Sequence, residues 1–331
     1  MKNREAYLNG VKVADTLHNE LGDRHSIESN RRGSIDVFGS ILKKDASLMF
    51  RPLDGLLGAC LAGGGVIIST NRTLPIQRFT GAHELGHLVM KHPLRLDGDE
   101  ILNGDPMQAD DPVEVEANAF AAEFLLPRWL FAHHARRQGW GAQEMTNPVW
   151  VYQLSLRSGA SYEATVRSLE KHKIINPENR RELLKIQPKT IKQKLLNNFA
   201  PEHWYRDVWV LTEKDQGALL EGQPDDIFLF KLNEKSGAGY LWDVAAVKER
   251  GFTVICDERT SASESRAVGS DSQRVLTIMA PKIPKGELCF ALRRPWQKQL
   301  AAAEKVQLEY DLLGKEIGLP RAQRQEFAAA A

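Results

Sequence analysis

The spacing of apolar residues changes near residue 200. From residue 129 to 200, apolar side chains recur at helical intervals, which Gly159 and two Asn-Pro pairs interrupt. Beyond Pro201 they gather into short runs with Gly, Pro, Asp or Ser between them; the runs cover 209–211, 227–232, 240–244, 252–255, 275–278 and 287–292. Short strands between turn residues are typical of a β-sandwich. We therefore predict a helical region followed by a small β-sandwich.

Two further elements are predicted in the first part of the chain. Residues 58–71 have the pattern of two short strands around a glycine turn. Residues 112–127 predict a helix, because Asp111 is a good N-cap, Pro112 fits the first turn and Pro127 ends the pattern. The alanines of this helix leave a thin face that a second helix can approach closely.

The end of the chain predicts an amphipathic helix over residues 297–331, which finishes in a run of alanines. Its apolar positions are Leu300, Val306, Leu308, Leu312 and Ile317. Taken together, the elements predict an α+β protein with four parts. These are an N-terminal core at 1–130, a helical extension at 131–200, a β-sandwich at 201–300, and a C-terminal helix and tail at 301–331.

Composition agrees with a protein of two or three units that functions in water. The chain has 331 residues, 42% of them apolar, and a formal net charge of +1, which gives no general reason to expect a polyanion partner. No apolar run approaches the roughly 18–20 residues of a membrane span, and the N-terminus lacks a signal-peptide core. We therefore expect a cytoplasmic protein with no membrane partner.

The first candidate for chemistry is residues 83–87, which read HELGH. On a helix, His83 and His87 lie on the same face and can bind one cation together. A Zn²⁺ ion held by three protein groups keeps an open position for water and lowers the pKa of that water to about 7. Glu84 lies beside this position and can accept the proton. The motif predicts a zinc hydrolase.

A third ligand is expected from the helix at 112–127. Glu114 is one candidate, although its spacing from Asp111 also suits a capping box. Glu116 points roughly 200° away around the helix, so only one of the two can face the metal. Asn118 lies one turn beyond Glu114 and is expected to support the site.

Two other side chains near the motif have alternative interpretations. Cys60 lies in a predicted strand before the metal helix; it is either a small packed residue or a fourth ligand that keeps the site latent. His92 follows the motif, but its spacing does not match the longer three-histidine pattern, so we interpret it as a helix-end residue. With Cys256 and Cys289, Cys60 makes an odd cysteine count, which favours reduced thiols.

Beyond these residue-level arguments, the chain resembles the ImmA/IrrE family of zincin-type metallopeptidases. The resemblance spans about residues 8–185 and depends on RFTGAHELGH at 78–87 and EVEANAFA at 114–121. It implies a zincin-like metallopeptidase core of the gluzincin-like type, with Glu114 as the third ligand. The presence of both Glu114 and Glu116 leaves Glu116 as an alternative.

The sandwich region resembles the chagasin family of papain-type cysteine protease inhibitors, an Ig-like β-sandwich. The similar residues are Tyr240, Trp242, Arg294 and Trp296, which we take as candidate partner-binding residues. The loop before Gly239 lacks the family's Asn-Pro-Thr, and residues 268–271 only partly match its glycine loop. A sensing or partner-docking role for this domain is therefore a simpler expectation than inhibition.

The sequence therefore predicts a zinc endopeptidase, with activity controlled by the C-terminal domain or by a ligand. The ImmA/IrrE resemblance implies that the substrate is a helix-turn-helix transcriptional repressor, cleaved in a stress, DNA-damage or phage-defence response, and single-stranded DNA is a candidate activator. Two alternatives stay open. One is a catalytically silent sensor or scaffold, and the other is a cysteine-protease inhibitor.

Overall fold

The computed structural model describes residues 2–30, 32–61, 63–93, 96–98, 101, 109–197, 199–261, 271–279, 284–297 and 299–330. The chain forms two compact units. Unit 1 contains Met1–His134, Arg157–Leu184 and Lys315–Ala331, and unit 2 contains Ala135–Leu156 and Lys185–Gly314. The helical extension expected over 131–200 is thus divided between the two units.

Unit 1 combines helices with a small mixed sheet. Its helices before residue 134 are α1 (Lys2–Leu21), α2 (Asp23–Asn30), α3 (Val37–Leu42), α4 (Leu74–Met90), α5 (Pro112–Leu125) and the first part of α6 (Arg128–Gln138). Its strands are β1 (Ser47–Arg51), β2 (Gly58–Leu61), β3 (Gly65–Ser69) and β4 (Leu96–Asp97), in the order β1-β3-β2-β4. Strand β1 is parallel to β3, and β2 is antiparallel to both of its neighbours. The two strands predicted at 58–71 are confirmed as β2 and β3.

Further helices follow in both units before the strands of unit 2. They are α7 (Ala142–Met145), α8 (Pro148–Ser158), α9 (Tyr162–Lys171), α10 (Pro177–Leu184) and α11 (Pro188–Leu196). The predicted helix at 112–127 is confirmed as α5, and the Asp111 carboxylate caps it by accepting a hydrogen bond from the Val113 N–H at 2.9 Å. Among the described residues, no helix has the length and apolarity needed to cross a bilayer.

Unit 2 contains a β-sandwich. Its elements are β5 (Val208–Leu211), β6 (Leu219–Glu221), β7 (Ile227–Glu234), β8 (Leu241–Asp243), α12 (Ala245–Glu249), β9 (Thr253–Ser261), β10 (Ser272–Met279), β11 (Lys285–Arg293) and β12 (Glu304–Asp311). Two four-stranded sheets have the orders β5-β7-β10-β9 and β6-β12-β11-β8. Aromatic side chains from both sheets share one core, including Trp209, Phe228, Phe230, Trp242, Phe290 and Tyr310. All six strands predicted beyond residue 201 are confirmed.

The C-terminal helix is shorter than the sequence indicated. Residues 304–311 were expected to be helical, but they form strand β12 and pair with β11 along its length. The physical reason is the alternation of Val306, Leu308 and Tyr310, which are all buried while their neighbours are more exposed. The helix itself is confirmed only at α13 (Arg321–Ala330).

The segment after β12 completes unit 1. The Gln77 side chain, at the start of α4, donates hydrogen bonds to the carbonyls of Ser69 and Glu316 and accepts one from the Glu316 N–H. Two residues later, Gly318 exchanges backbone hydrogen bonds with Phe50 of β1, at 2.7 and 3.0 Å. Gln77 therefore joins the first turn of α4 to both the sheet and the returning chain.

We predict that Gln77→Leu destabilises the protein by about 2–5 kcal/mol, because it removes three hydrogen bonds and leaves the two backbone groups of Glu316 buried without their partner. Urea unfolding, followed by circular dichroism, measures the change. Gln143→Leu, at an exposed position of α7, is the matched control. Equal stabilities of the two variants would contradict this role for Gln77.

Candidate metal centre

Three side chains of unit 1 converge in the way that a metal ion requires. His83, His87 and Glu114 each offer one ligand atom, and these atoms lie within 4.8 Å of one another. The two Nε2 atoms are 2.9 Å apart, and Glu114 Oε2 lies 3.3 Å from His83 Nε2 and 3.8 Å from His87 Nε2. A tetrahedral site with bonds of about 2.0–2.1 Å has edges of about 3.4 Å, which these separations bracket. The nitrogen and carboxylate donors therefore fit zinc.

The approach of α4 to α5 places the third ligand. Gly86 faces α5, and a β-carbon at this position would lie 3.0 Å from the Phe120 ring and 3.4 Å from the Ala117 α-carbon. A larger side chain at residue 86 would push the two helices apart. Because Asp111 supplies the N-cap, Glu114 is not needed as a capping group and can turn toward the histidines.

The ligand side chains are removed from solvent. His83 and His87 are buried, and the Glu114 side chain is 16% exposed. Burial raises the pKa of the Glu114 carboxyl, but hydrogen bonds and charge from the two histidines outweigh this effect and hold its pKa well below the ordinary value. Glu114 is therefore a carboxylate at neutral pH, as a metal ligand must be.

Glu84 is fully buried next to the ligands, against strand β2. A β-carbon on Gly58 would lie only 2.6 Å from Glu84 Oε1, so the strand can pass this carboxylate only because residue 58 has no side chain. Gly58 is thus a residue of the site that the sequence analysis assigned only to a strand.

Glu116 and His92 contact each other outside the group of three ligands. Glu116 Oε2 lies 2.9 Å from His92 Nε2, on the side of α5 away from Glu114, so Glu116 is not among the three grouped ligands. His92 follows the end of α4, as expected, and its Nδ1 also lies 2.9 Å from His87 Nδ1. Burial lowers the pKa of His92, while the hydrogen bond to Glu116 opposes this shift.

Asn118 and Cys60 were the other two candidates near the metal. Asn118 Oδ1 lies 3.0 Å from His83 Nδ1, so it contacts a ligand from behind, as its position on α5 indicated. Cys60 lies on β2, where it pairs with Val66. Within the described part of the chain, the group of possible metal ligands contains no cysteine, and the fourth-ligand role of Cys60 stays a prediction.

The candidate partner-binding residues belong to unit 2. Trp242 is buried in the sandwich core and donates its Nε1–H to the Asn233 carbonyl, so it is not available to a partner. Trp296, by contrast, is 66% exposed. The Arg294 guanidinium lies 4.8 Å from the centre of the Tyr240 ring and its Nε donates to the Ala238 carbonyl. Residues 268–270 of the partial glycine loop lie outside the described residues.

The region that contains all three ligands matches one protein family. Residues 41–170 match the IrrE N-terminal-like domain, Peptidase_M78. This match supports a metallopeptidase-like class for the region around the His83, His87 and Glu114 cluster. The ImmA/IrrE resemblance read from the sequence is therefore confirmed over these residues.

The second predicted resemblance is confirmed as well. Residues 223–310 match the chagasin family of peptidase inhibitors, I42, which agrees with the sandwich fold of unit 2. The chain is thus similar to two families, a Peptidase_M78 domain and a chagasin-like domain, in that order.

Solved structures that resemble the chain include two proteins whose alignments cover about a third of it. A cysteine protease inhibitor from Entamoeba histolytica is 22% identical, with 34% of this chain and 99% of that chain covered and a TM-score of 0.29. Amebosin is 18% identical, with 32% and 96% covered and a TM-score of 0.26. A Mycobacterium tuberculosis transcriptional regulator is 13% identical, with 85% and 81% covered and a TM-score of 0.32. No curated protein matches the chain.

We predict that the protein binds one zinc ion, and that His83→Ala, His87→Ala and Glu114→Ala each weaken binding by more than the roughly 10–100-fold typical of outer residues. Glu84→Gln should bind zinc normally, because Glu84 is not in the ligand group. Competition with a coloured chelator measures the affinities, and His25→Ala, at an exposed position of α2, is the control. Unchanged zinc affinity in Glu114→Ala would show that another group is the third ligand.

Proposed function

We propose that the protein is a zinc-dependent endopeptidase that cleaves a specific protein substrate. The observation that carries this proposal is the convergence of His83, His87 and Glu114 beside the buried Glu84. The Peptidase_M78 match supports it, because the match includes these four residues. Zinc held by the three ligands supplies a Lewis acid and a water molecule of lowered pKa.

Glu84 is the general base in this proposal. Its carboxylate accepts a proton from the water that attacks the scissile carbonyl, and it then gives that proton to the leaving amine. The Glu84 carboxylate packs against Gly58 of β2, in space that a side chain at residue 58 would occupy. Burial of Glu84 strengthens its electrostatic interactions, since little solvent screens them.

The substrate we propose is a helix-turn-helix transcriptional repressor, cleaved in response to stress, DNA damage or phage attack. Support for this comes from the ImmA/IrrE resemblance. Single-stranded DNA is the proposed activator, and the C-terminal domain or a ligand the proposed control of activity. The reaction belongs to the cytoplasm, where such a repressor acts.

The decisive experiment incubates the zinc-loaded protein with the repressor encoded beside its gene, with and without single-stranded DNA, and identifies products by mass spectrometry. We expect one cut by the wild-type protein and none by Glu84→Gln, which keeps zinc but lacks the base. A cut that depends on DNA would support the activator. Cleavage by Glu84→Gln at the wild-type rate would contradict the role of Glu84.

An absence of cleavage by zinc-loaded wild-type protein would favour the sensor or scaffold alternative. In that case Glu84→Gln should keep the biological effect of the wild-type gene. Glu84→Gln, tested in the cell of origin, therefore distinguishes the endopeptidase from the sensor or scaffold: the variant loses the biological effect in the first case and keeps it in the second.

A second candidate function is inhibition of a papain-type cysteine protease by unit 2. The observation that favours it is the exposed Trp296 in a segment that matches the chagasin family. Exposed tryptophans are frequent anchors of protein interfaces. Arg294 and Tyr240, which pack on each other, lie in the same matched segment.

If this second function is correct, the full-length protein should inhibit papain when it carries Glu84→Gln, the variant expected to lack peptidase activity. Trp296→Ala in that same protein should weaken inhibition by about 30-fold, the effect of losing about 2 kcal/mol at an anchor residue. Tyr205→Ala is a matched control, since Tyr205 is another highly exposed aromatic residue of unit 2. A fluorogenic peptide assay measures the inhibition constants. Equal inhibition by the two alanine variants would exclude Trp296 as the anchor.

A further inference from the structure

A series of hydrogen-bonded side chains runs outward from His87, one of the metal ligands. His87 Nδ1 lies 2.9 Å from His92 Nδ1, and His92 Nε2 lies 2.9 Å from Glu116 Oε2. The other carboxylate oxygen of Glu116 accepts a hydrogen bond from the Asn9 amide at 3.1 Å. The side chain of His92 is only 9% exposed and that of Glu116 only 22%, so the contact between them is largely shielded from solvent.

The direction of each hydrogen bond follows from Glu116, the carboxylate at which the His87–His92–Glu116 series ends. A carboxylate only accepts, so His92 Nε2 carries a hydrogen and donates it to Glu116. In a neutral His92 the Nδ1 atom is then an acceptor, and His87 Nδ1 must be the donor. With its hydrogen on Nδ1, the His87 ring has a lone pair on Nε2, the atom that faces His83 and Glu114.

The backbone holds this series of hydrogen-bonded side chains in place at both ends. Lys91 adopts a left-handed conformation with φ 58° and ends α4, and the His92 N–H then bonds to the His87 carbonyl at 2.9 Å. The reversal turns His92 back toward the last turn of the helix. On α5, Glu114 and Glu116 point to different sides. A single helix therefore supplies both the third ligand and the carboxylate to which His92 donates.

We propose that His92 and Glu116 are positioning residues for the metal centre, which keep His87 in the tautomer and orientation that bind zinc through Nε2. Outer partners of metal-binding histidines act in this way, and their loss typically costs about 10–100-fold in metal affinity. Asn118 has the corresponding place behind His83, where its Oδ1 accepts from Nδ1. The proposal rests on the metal centre of the proposed function, but not on its substrate.

The test compares variants of His92 by zinc affinity, in the full-length protein. His92→Phe keeps a ring but loses both hydrogen bonds, and we expect zinc to bind about 10–100-fold more weakly. His92→Gln keeps an acceptor for His87 and a donor for Glu116, and it should recover most of that affinity. Glu116→Leu should weaken zinc binding in the same direction, and His25→Phe should not. A purely structural role would not distinguish Gln from Phe in this way.

Nuclear magnetic resonance of the histidine ring nitrogens gives a second measurement that needs no variant to fold. In the zinc-loaded wild-type protein we expect hydrogen on Nδ1 of His87 and on Nε2 of His92. The opposite tautomer of His92 would overturn the proposal, as would wild-type zinc affinity in His92→Phe.

These failures differ from failure of the endopeptidase proposal. If wild type and His92→Phe bind zinc equally tightly, the positioning role of His92 is contradicted and the endopeptidase proposal is unaffected. A wild-type protein that binds no zinc removes the metal centre, and both proposals fall with it. Zinc binding with the expected response to His92 variants, but without cleavage of the repressor, supports the positioning role and contradicts only the substrate or the activity.

Discussion

The site depends on how closely two helices can approach each other. Helix α4 carries two imidazoles and α5 carries a carboxylate, and a metal can join them only if the helix backbones lie near enough for short side chains to meet. Gly86 and Ala117 permit this approach, and Phe120 fills the remaining space beside them. Such tight packing leaves little freedom for the ligand atoms, so much of the geometry that zinc requires exists in the folded protein.

Helix α5 has a different function on each of its sides. The side with Glu114 faces the histidine pair, and the side with Glu116 faces His92 and the Asn9 amide of α1. Asn118 adds a contact to His83 from the same helix. Because one rigid element contacts both ligand histidines, a displacement of α5 would alter the third ligand and the outer contacts together. The Asp111 cap, which fixes where the helix starts, therefore matters to the whole centre.

Local patterns in the sequence were sufficient for much of this site. The HELGH motif, the Asp111 cap and the strands of the sandwich all depend on neighbours a few residues apart, and these were predicted. His92 was placed correctly at the end of α4, but its contacts with His87 and Glu116 were not predicted, because the left-handed Lys91 turns the backbone back toward the helix. The tail was assigned to a helix because its apolar residues also fit that period, whereas pairing with β11 decides the conformation. The contacts of Gln77 with Glu316 join residues 239 positions apart, and no local pattern indicates them.

The return of residues 316–318 to β1 and α4 has a consequence for how the protein is made. The sandwich of unit 2 lies within the sequence of unit 1, between segments that unit 1 needs. During synthesis, the metal-binding residues leave the ribosome long before the segment that bonds to Gln77 and Phe50. Unit 1 acquires its full set of hydrogen bonds only after the sandwich has been translated. A nascent or prematurely ended chain therefore presents the HELGH helix without its final support.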